Sequence, residues 1–444
     1  MKIATILVLI VLSLVESTAA QQKPNVIIFL ADDYGWADVG YRNPDFYTPN
    51  IDKLKSEGIE FTRAYVGTPT CSPSRASLLT GKEAIRLEMP RHINEGDLKS
   101  GKKYNYWPKD PIQMPSINYL PLEEVTYAER LHELGYYNMF LGKWHLGTKE
   151  YFPIYQGFDD ECGVTEGGMP NNYYQPFFND SVFKDVSPEK YLTDVLTDKA
   201  VDFILGYKKD KPFNLSLWHY APHSPHVGRK DLIEKYKAKG WQGALAEYGA
   251  MVSAMDESLG RIRQALNDKG IEKNTIILFT SDQGSYFTNF PLRGGKTGGQ
   301  TLCEGGARVP FIIYYPGITT ANTICNAPIQ TIDVFPTLVE IASGEPCNNQ
   351  QIQGISLLPL MRGGKTAPRN LFFYRSYEDQ YTAIIQGEWK LIKFRSGIKE
   401  LYNIKNDTGE VSNLIFNEPK IATNLSEALT DWEKEAVPVF DMEK

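Results

Sequence analysis

The residues with the clearest chemical potential lie in the segment Pro69-Thr70-Cys71-Ser72-Pro73-Ser74-Arg75. Pro73 suits the first turn of a helix and Ser72 suits its cap, so Cys71 is predicted at a helix N-terminus, where unpaired N–H groups favour an anion. Arg75 follows Cys71 by one helical turn and therefore shares its face. A buried thiol or half of a disulfide is the ordinary alternative for a cysteine. The segment predicts an anion site at Cys71.

Two clusters of oxygen ligands directly follow apolar runs that are typical of buried strands. Asp32 and Asp33 form the first cluster, and Asp282 and Gln283 belong to the second. A polar turn that closes a strand is the plain alternative for each cluster taken alone. Together they favour a hard cation such as calcium or magnesium over zinc, which usually takes histidine or cysteine ligands.

The segment Gly142-Lys143-Trp144-His145-Leu146-Gly147 also follows a strand-like run. Lys143 and His145 are two positions apart, so an extended backbone projects both side chains to the same side. A lone histidine is more often a hydrogen-bonded structural group. The neighbouring lysine and the flanking glycines favour a functional site.

Three histidines lie within eight residues, at positions 219, 223 and 226. His219 directly follows a predicted strand and is expected to be structural, whereas composition alone leaves His223 and His226 open. A further candidate cation, Lys296, ends the segment Leu292-Arg293-Gly294-Gly295-Lys296. It precedes the segment Glu304-Gly305-Gly306-Ala307-Arg308-Val309-Pro310.

These segments resemble the motifs of the formylglycine-dependent type I sulfatases of the alkaline-phosphatase superfamily, in particular exported polysaccharide sulfatases. The resemblance rests on C-x-P-S-R with L-L-T-G at positions 71–81, on G-K-W-H-x-G, on His223-x-Pro and on E-G-G-x-R-V-P. It covers nearly the whole chain after residue 20. It departs at Gln283, where asparagine is more usual, and in the longer spacing between Lys296 and Glu304.

The resemblance implies that Cys71 is oxidised to 3-oxoalanine (formylglycine) by a formylglycine-generating or other sulfatase-maturating enzyme. It implies one Ca²⁺ ion, bound by Asp32, Asp33, Cys71, Asp282 and Gln283. It also implies a catalytic set of Cys71, Arg75, Lys143, His145, His223 and Lys296. In that set the hydrated aldehyde attacks sulfur, with calcium and Arg75 holding the hydrate and Lys143 and Lys296 binding the sulfate. His223, with Lys296, protonates the leaving sugar oxygen, and His145 deprotonates the remaining hydroxyl.

The implied function is hydrolysis of sulfate esters on a sulfated polysaccharide or its oligosaccharides. The long segment between Met89 and Pro121, with its tyrosines, tryptophan and lysines, favours a carbohydrate-lined cleft over a pocket for small aryl sulfates. One alternative is a formylglycine-dependent phosphodiesterase or phosphonate hydrolase, since fold does not settle function. Another is a catalytically inactive protein that binds sulfated glycans. A two-zinc phosphatase is disfavoured because the chain has only six histidines and carries cysteine at the nucleophile position of the sulfatase motif.

Aliphatic runs at 25–30, 138–141, 213–218, 275–279 and 310–315 alternate with helical patterns at 125–134, 192–205 and 248–266. This alternation predicts an α/β fold with a large, mainly parallel sheet sandwiched by helices. Its functional residues are expected at the carboxyl ends of the strands. We expect a catalytic domain at 21–365 and a smaller C-terminal α+β subdomain at 366–444, with an antiparallel sheet and a helix at about 421–436.

Residues 1–20 have an early lysine, an apolar run and a small-residue end, which predict a cleavable export signal. The run is too short to span a bilayer, so we expect a periplasmic or secreted protein without stable membrane insertion. A formal charge of −7 does not favour nucleic acid as a partner. In an oxidising compartment Cys162, Cys303, Cys325 and Cys347 could form two disulfides, with Cys325–Cys347 the favoured pair and free thiols the alternative.

Overall fold

The computed structural model describes residues 23–110, 113–179, 181–287, 289–297, 299–377 and 379–437. The strands of these residues are β1 Asn25–Ala31, β2 Ile59–Phe61, β3 Ala64–Tyr65, β4 Tyr104–Asn105, β5 Ser116–Ile117, β6 Tyr137–Gly142, β7 Asp160–Cys162, β8 Phe213–Trp218, β9 Thr275–Ser281, β10 Arg308–Val309, β11 Phe311–Tyr314, β12 Thr323–Cys325, β13 Ile329–Gln330, β14 Asn370–Tyr374, β15 Gln380–Gln386, β16 Trp389–Phe394 and β17 Lys399–Asn403. The helices are α1 Pro49–Glu57, α2 Cys71–Thr80, α3 Glu95–Lys99, α4 Tyr127–Glu133, α5 Leu192–Gly206, α6 Lys230–Lys237, α7 Gly243–Asp268, α8 Glu304–Ala307, α9 Val334–Ser343, α10 Leu358–Met361 and α11 Pro419–Ala436.

The largest sheet has the strand order β12-β2-β11-β9-β1-β8-β6-β7. The five strands β9, β1, β8, β6 and β7 run parallel to one another. This confirms the predicted α/β class and its mainly parallel sheet. β11 runs antiparallel to both β9 and β2, which the aliphatic run at 310–315 could not reveal. The connection from β9 to β11 consists of loops and the four-residue helix α8. Parallel strands are usually joined by a longer crossover helix, so this short connection fits the antiparallel direction of β11.

Strand β1 is buried along its whole length because the sheet is covered on both faces. Its alternating side chains enter two separate apolar cores. One core receives Ile27, Phe29 and Ala31 together with residues of α5 and α7. The other receives Val26, Ile28 and Leu30 together with residues of α2, α4 and α9. Helices on both faces therefore leave the strand ends as the free edge for a site.

The C-terminal part contains the antiparallel sheet β14-β15-β16-β17, which confirms the antiparallel sheet predicted there. Helix α11 covers one face of this sheet with Leu425, Leu429 and Trp432. The Trp432 ring stacks on Phe372 with ring centroids 4.9 Å apart. The amphipathic pattern of the helix thus supplies the apolar cover that the antiparallel sheet requires.

Helix α2 begins at Cys71, and Thr70 is its N-cap with an extended backbone (φ −164°, ψ 138°). The prediction that Ser72 caps the helix is therefore wrong by two positions. Ser72 lies in the first turn, and its hydroxyl accepts a hydrogen bond from the backbone N–H of Ile93 at 3.2 Å. Local propensity predicts that the Ser72 side chain caps the helix, but in the fold this side chain bonds Ile93 instead.

Cys325 and Cys347 are both free thiols, so the predicted Cys325–Cys347 pair is wrong. Cys325 ends β12, paired with Phe61 of β2, whereas Cys347 lies in the loop after α9 beside Arg130. The predicted export segment, residues 1–20, lies outside the described residues. Across the described part of the chain, every helix is too short or too polar to cross a lipid bilayer.

Candidate active site

The carboxyl ends of β1 and β9 bring two acidic clusters together. The two strands are parallel neighbours, with Ala31 in register with Ser281. β1 is followed by Asp32 and Asp33, and β9 is followed by Asp282. The backbone N–H of Asp33 donates to Asp282 Oδ1 at 3.1 Å. Asp33 has a left-handed backbone (φ 66°), which is uncommon for a residue with a side chain. Such local strain is typical of a functional site.

Three carboxylates occupy this edge, and two cations lie directly behind them. Asp32, Asp33 and Asp282 are each at most 1% exposed. The ammonium group of Lys143 lies 2.5 Å from Asp32 Oδ2. The Arg75 guanidinium lies 2.8 Å from Asp282 Oδ2 and 3.5 Å from Asp32 Oδ1. Arg75 also donates to the backbone carbonyl of Lys143 at 2.7 Å, so the two cations form one buried support.

Cys71 lies beside the same carboxylates, at the start of α2. Its Sγ is 3.8 Å from Asp32 Oδ1 and 3.1 Å from Gln283 Nε2. Burial alone would raise the pKa of the Cys71 thiol, but the ammonium groups of Lys143 and Lys296 outweigh burial and lower the pKa well below its usual range. The amide of Gln283 also bonds Asp33 Oδ1 at 2.6 Å. The longer side chain at position 283 therefore spans from Cys71 to the carboxylates.

Lys296 and His223 approach Asp33 from the cavity side. The Lys296 ammonium group bonds Asp33 Oδ2, and His223 Nε2 lies 3.5 Å from the same oxygen. His223 Nδ1 lies 2.7 Å from the backbone carbonyl of Ser224, so this nitrogen donates. Burial lowers the pKa of His223, but the carboxylates of Asp33 and Asp32 outweigh it and the net pKa is raised.

His145 lines the same cavity with a left-handed backbone (φ 57°). A Cβ atom on Gly168 would lie 2.4 Å from its ring, so a side chain there would displace the imidazole. Among the described residues, no group hydrogen-bonds its Nδ1. Burial, with the charges of Lys143 and Arg75, holds the pKa of His145 well below its usual range.

The two neighbouring histidines lie elsewhere. His219 packs against Phe29 with ring centroids 4.9 Å apart, and its Nε2 lies 3.1 Å from the hydroxyl of Ser258. The His226 ring packs against Tyr248 and Phe287. Of the two histidines that composition left open, His223 is thus the one within 3.5 Å of a site carboxylate.

The donor set fits a hard divalent cation. Burial and the neighbouring Asp32 carboxylate raise the pKa of Asp282 to about 7 despite the opposing charge of Arg75. Ligand atoms of Asp32, Asp33, Cys71 and His223 lie within 4.8 Å of one another. Carboxylate oxygens at this spacing suit calcium or magnesium, and a cation would relieve their repulsion. The amide oxygen and nitrogen of Gln283 can exchange places by rotation, so this side chain can also offer an oxygen.

A cavity of about 670 Å³ opens above these groups. The predicted site residues on its surface are Cys71, His145, His223, Gln283 and Lys296. The predicted residues below its surface are Asp32, Asp33, Arg75, Lys143 and Asp282, all of them buried. The other lining residues include His92, Ile93, Asn94 and Glu95, which come from the long segment predicted to form a cleft. Arg375 and Tyr377 also line it and carried no recognisable motif.

Family models and known proteins match most of the chain. The sequence model of the Sulfatase family matches residues 24–344, and the one described as N-sulphoglucosamine sulphohydrolase, C-terminal, matches residues 300–435. N-acetylgalactosamine-6-sulfatase of Homo sapiens is 31% identical over 401 residues, which cover 84% of this chain and 72% of that protein. A protein named Sulfatase from Formosa agariphila is 30% identical and covers 93% of this chain and 89% of its own.

A solved structure shows the same fold over almost the whole chain. The crystal structure of Ps i-CgsB in complex with k-i-k-neocarrahexaose superposes with a TM-score of 0.78 at 29% identity, covering 93% of each chain. The family match over residues 24–344 includes the Cys71 motif, the acidic clusters, His145 and His223. The chain belongs to the sulfatase family, whose named members are sulfuric ester hydrolases of the alkaline-phosphatase superfamily.

Proposed function

We propose that the protein hydrolyses sulfate esters of a sulfated carbohydrate. Its reactive group is 3-oxoalanine formed from Cys71, and one Ca²⁺ ion is held by Asp32, Asp33, Asp282, Gln283 and residue 71. The position of Cys71 carries this proposal, since it lies at a helix N-terminus between buried carboxylates and an open cavity. Its thiol stands in for the hydrated aldehyde in the contacts to Asp32 and Gln283.

The hydrated aldehyde supplies the nucleophilic oxygen when formed, and calcium supplies positive charge beside it when bound. The chain's own residues orient these groups. Arg75 fixes Asp282, and Lys143 fixes Asp32. Lys143 is fully buried and bonds Asp32, so this geometry supports a positioning role for it instead of the direct sulfate binding expected from family resemblance.

Lys296, His223 and His145 account for the remaining steps of the reaction. Lys296 has 18% of its side chain exposed and is the cation beside Asp33, which supports binding of the sulfate oxygens. The hydrogen bond of His223 Nδ1 to Ser224 leaves Nε2 to donate a proton to the leaving sugar oxygen. The Nδ1 atom of His145 has no partner among the described residues, which supports a role for His145 as proton acceptor.

The carbohydrate substrate, export and maturation complete the proposal. The relatives' names and the neocarrahexaose bound to Ps i-CgsB support a sulfated sugar as substrate. We propose that residues 1–20 direct export to the periplasm or beyond, because they combine an early lysine with a short apolar run. A formylglycine-generating or other sulfatase-maturating enzyme would act on the Cys71 motif.

The decisive experiment joins mass spectrometry to activity assays on protein from its native source. The peptide that contains residue 71 is expected to be lighter than the thiol form by about 18 Da. The same sample is expected to release sulfate from a carrageenan oligosaccharide or N-acetylgalactosamine 6-sulfate, and a Cys71→Ala variant is expected to release none.

Two outcomes would contradict the proposal. Faster turnover of an aryl phosphodiester than of any sulfate ester would indicate the phosphodiesterase alternative. An unmodified Cys71 in native protein that binds sulfated glycans without hydrolysis would indicate a binding protein. Co-expression with a maturating enzyme serves as the control, because an unmodified cysteine from a host without that enzyme carries no information about the native state.

A further inference from the structure

Two buried tyrosines lie behind the loop that carries His223. Tyr173 belongs to the connection between β7 and α5, and Tyr191 is the N-cap residue of α5. They are 0% and 1% exposed, and their rings stack with centroids 5.7 Å apart. The backbone N–H of Leu192 donates to the Tyr173 carbonyl at 2.9 Å, which ties Tyr173 to the first turn of α5. Close packing and this hydrogen bond therefore hold the Tyr173 ring in one place.

The Tyr173 hydroxyl contacts the turn that contains His223. It lies 2.7 Å from the carbonyl oxygen of Tyr220 and 2.8 Å from the carbonyl oxygen of His223. The backbone N–H of His223 also donates to the Tyr220 carbonyl at 3.1 Å, which closes the turn. Because a buried carbonyl group without a donor costs free energy, the Tyr173 hydroxyl stabilises the turn with both carbonyl groups directed at it.

The surroundings of Tyr173 keep its hydroxyl protonated. Burial, the Tyr191 phenol and the carboxylates of Asp32 and Asp33 raise the pKa of Tyr173 well above its usual range. Tyr173 is therefore a neutral hydrogen-bond donor near neutral pH. Since a tyrosine hydroxyl has one proton, the two carbonyl oxygens share it.

The contact to the His223 carbonyl bears on the imidazole of the same residue. This carbonyl belongs to the peptide unit that joins His223 to Ser224. Fixing the peptide unit sets the direction of the His223 side chain and the path to the Ser224 carbonyl, which accepts the hydrogen bond from Nδ1 at 2.7 Å. With Nδ1 held there, Nε2 lies 3.5 Å from Asp33 Oδ2 at the cavity surface. Two successive hydrogen bonds thus connect Tyr173 to the orientation of Nε2.

We propose that Tyr173 is a positioning residue for His223, and that its hydroxyl holds the imidazole where Nε2 protonates the leaving sugar oxygen. Tyr173 is fully buried below the cavity surface, so it acts through His223 and not on the substrate. The inference rests on the proposed function and adds a residue to it that stands in no motif. Misplacing a catalytic group by about 1 Å can lower the rate about 100-fold, so the loss of this hydroxyl should be measurable.

The test compares Tyr173→Phe with Tyr191→Phe, which is the matched control. Both variants keep the stacked rings, and each loses one hydroxyl. The Tyr191 hydroxyl donates to the Val227 carbonyl at 2.8 Å, in the same loop but four residues beyond His223. Both hydroxyl groups therefore bond a backbone carbonyl of one loop, and they differ in their distance from the imidazole.

Two substrates with different leaving groups separate positioning of the acid from a general loss of structure. The first is N-acetylgalactosamine 6-sulfate or a carrageenan oligosaccharide, whose alkoxide leaving group needs a proton. On it we expect Tyr173→Phe to lower kcat about 10-fold or more, with KM changed less than about threefold. The second is 4-nitrophenyl sulfate, whose phenolate leaves without a proton, and here we expect a change below about threefold. Tyr191→Phe should change kcat less than about threefold on both substrates.

His223→Ala distinguishes failure of this inference from failure of the proposed function. We expect it to show the same dependence on the leaving group, and Tyr173→Phe added to it should cost less than about twofold more, because its effect passes through His223. A selective loss in His223→Ala without one in Tyr173→Phe would reject this inference alone. Equal losses of Tyr173→Phe on both substrates would also reject it, since a loosened fold does not depend on the leaving group.

A measurement without turnover completes the test. The chain has six histidines, so the ring nitrogen signals of protein labelled with ¹⁵N-histidine are few, and His223→Ala identifies those of His223. At constant pH and with calcium added, Tyr173→Phe is expected to shift or broaden the His223 signals, whereas Tyr191→Phe should leave them in place. Unmoved signals after Tyr173→Phe would overturn the inference. Shifted signals in a protein that hydrolyses no sulfate ester would reject the proposed function alone.

Discussion

The ammonium group of Lys390 lies 2.9 Å from Glu304 Oε1, and both side chains are fully buried. Lys390 belongs to β16 of the C-terminal sheet, and Glu304 begins α8, beside the site loops. Glu410 Oε1 lies 3.0 Å from the same ammonium group, and the Tyr65 hydroxyl donates to Glu304 at 2.9 Å. One buried cation therefore ties the antiparallel sheet to the segment that supports the site.

Replacing Lys390 with methionine is expected to lower the free energy of unfolding by about 3–5 kcal/mol, because Glu410 would remain buried without its cation and Glu304 would keep only the Arg308 cation, at 3.3 Å. Urea denaturation followed by tryptophan fluorescence measures the loss. Lys405→Met is the matched control, since Lys405 is 62% exposed in its pair with Glu388 and should cost less than about 1 kcal/mol. Equal losses in the two variants would refute the special role of the buried pair.

Gly284→Ala is expected to disturb the proposed calcium ligands, because a Cβ atom there would lie 1.9 Å from the backbone carbonyl of Gly305. The backbone after Gln283 would have to move, at a cost of about 1–3 kcal/mol. Thermal denaturation with and without calcium should show a lower Tm and weaker calcium dependence. Gly206→Ala, where a Cβ meets no atom within 4 Å, should show neither change.

Calcium removal is expected to destabilise the matured protein, since three buried carboxylates would repel one another. Calcium at 100 times its dissociation constant would stabilise the folded state by about 2.7 kcal/mol. A calcium titration of chelator-treated protein, monitored by Tm, measures this effect. Asp282→Asn should flatten the titration, while Asp45→Asn at an exposed position should not. A Tm that is indifferent to calcium in the native chain would count against the metal site.

Asp256 is expected to make stability depend on pH. It accepts backbone N–H groups from Asn50 and Ile51, at the start of α1. Burial raises its pKa from 3.8 to about 7, against the opposing effect of these hydrogen bonds. A raised folded-state pKa contributes stability that is present below pH 3.8 and is lost as pH rises to about 7.

Asp256→Asn lacks this ionisation, so the stability of the native chain relative to the variant should fall between pH 5 and 7, by up to about 1.4 kcal/mol per pH unit. Parallel denaturation curves at several pH values provide the measurement. A hydrogen-bond defect in the variant would add a constant offset, whereas ionisation alone gives a slope. A difference that stays flat across this range would rule out the raised pKa.

Much of the fold could be predicted because its strands are short aliphatic runs with clear ends. The run at 213–218 matches β8 to the residue. The direction of β11 could not be predicted, because strand direction depends on the connecting path and not on the run itself. The cap of α2 was misassigned because the hydroxyl of Ser72 meets Ile93, a contact made only after folding.

The reactive part of the site could be predicted because its residues stand in dense local motifs at strand ends. The part of the cavity lining that Arg375 and Tyr377 form could not be predicted, since these residues follow β14 without a motif. Their approach to the cavity depends on the buried contacts of Asp110, which joins residues far apart in sequence. The long segment after Met89 was the one sequence signal for a glycan cleft, and it supplies His92 to Glu95 of the lining.

The distance in sequence between Cys71 and its partner Gln283 sets the order of events during biosynthesis. The two residues are 212 positions apart, so the pocket around the thiol cannot close until β9 has been made. Chain segments emerge from the N-terminal end first. Cys71 is 7% exposed in the finished fold, so an enzyme that carries out the proposed conversion is expected to act before the pocket closes. The parallel topology that buries the reactive residue thus also limits the interval in which the proposed conversion can occur.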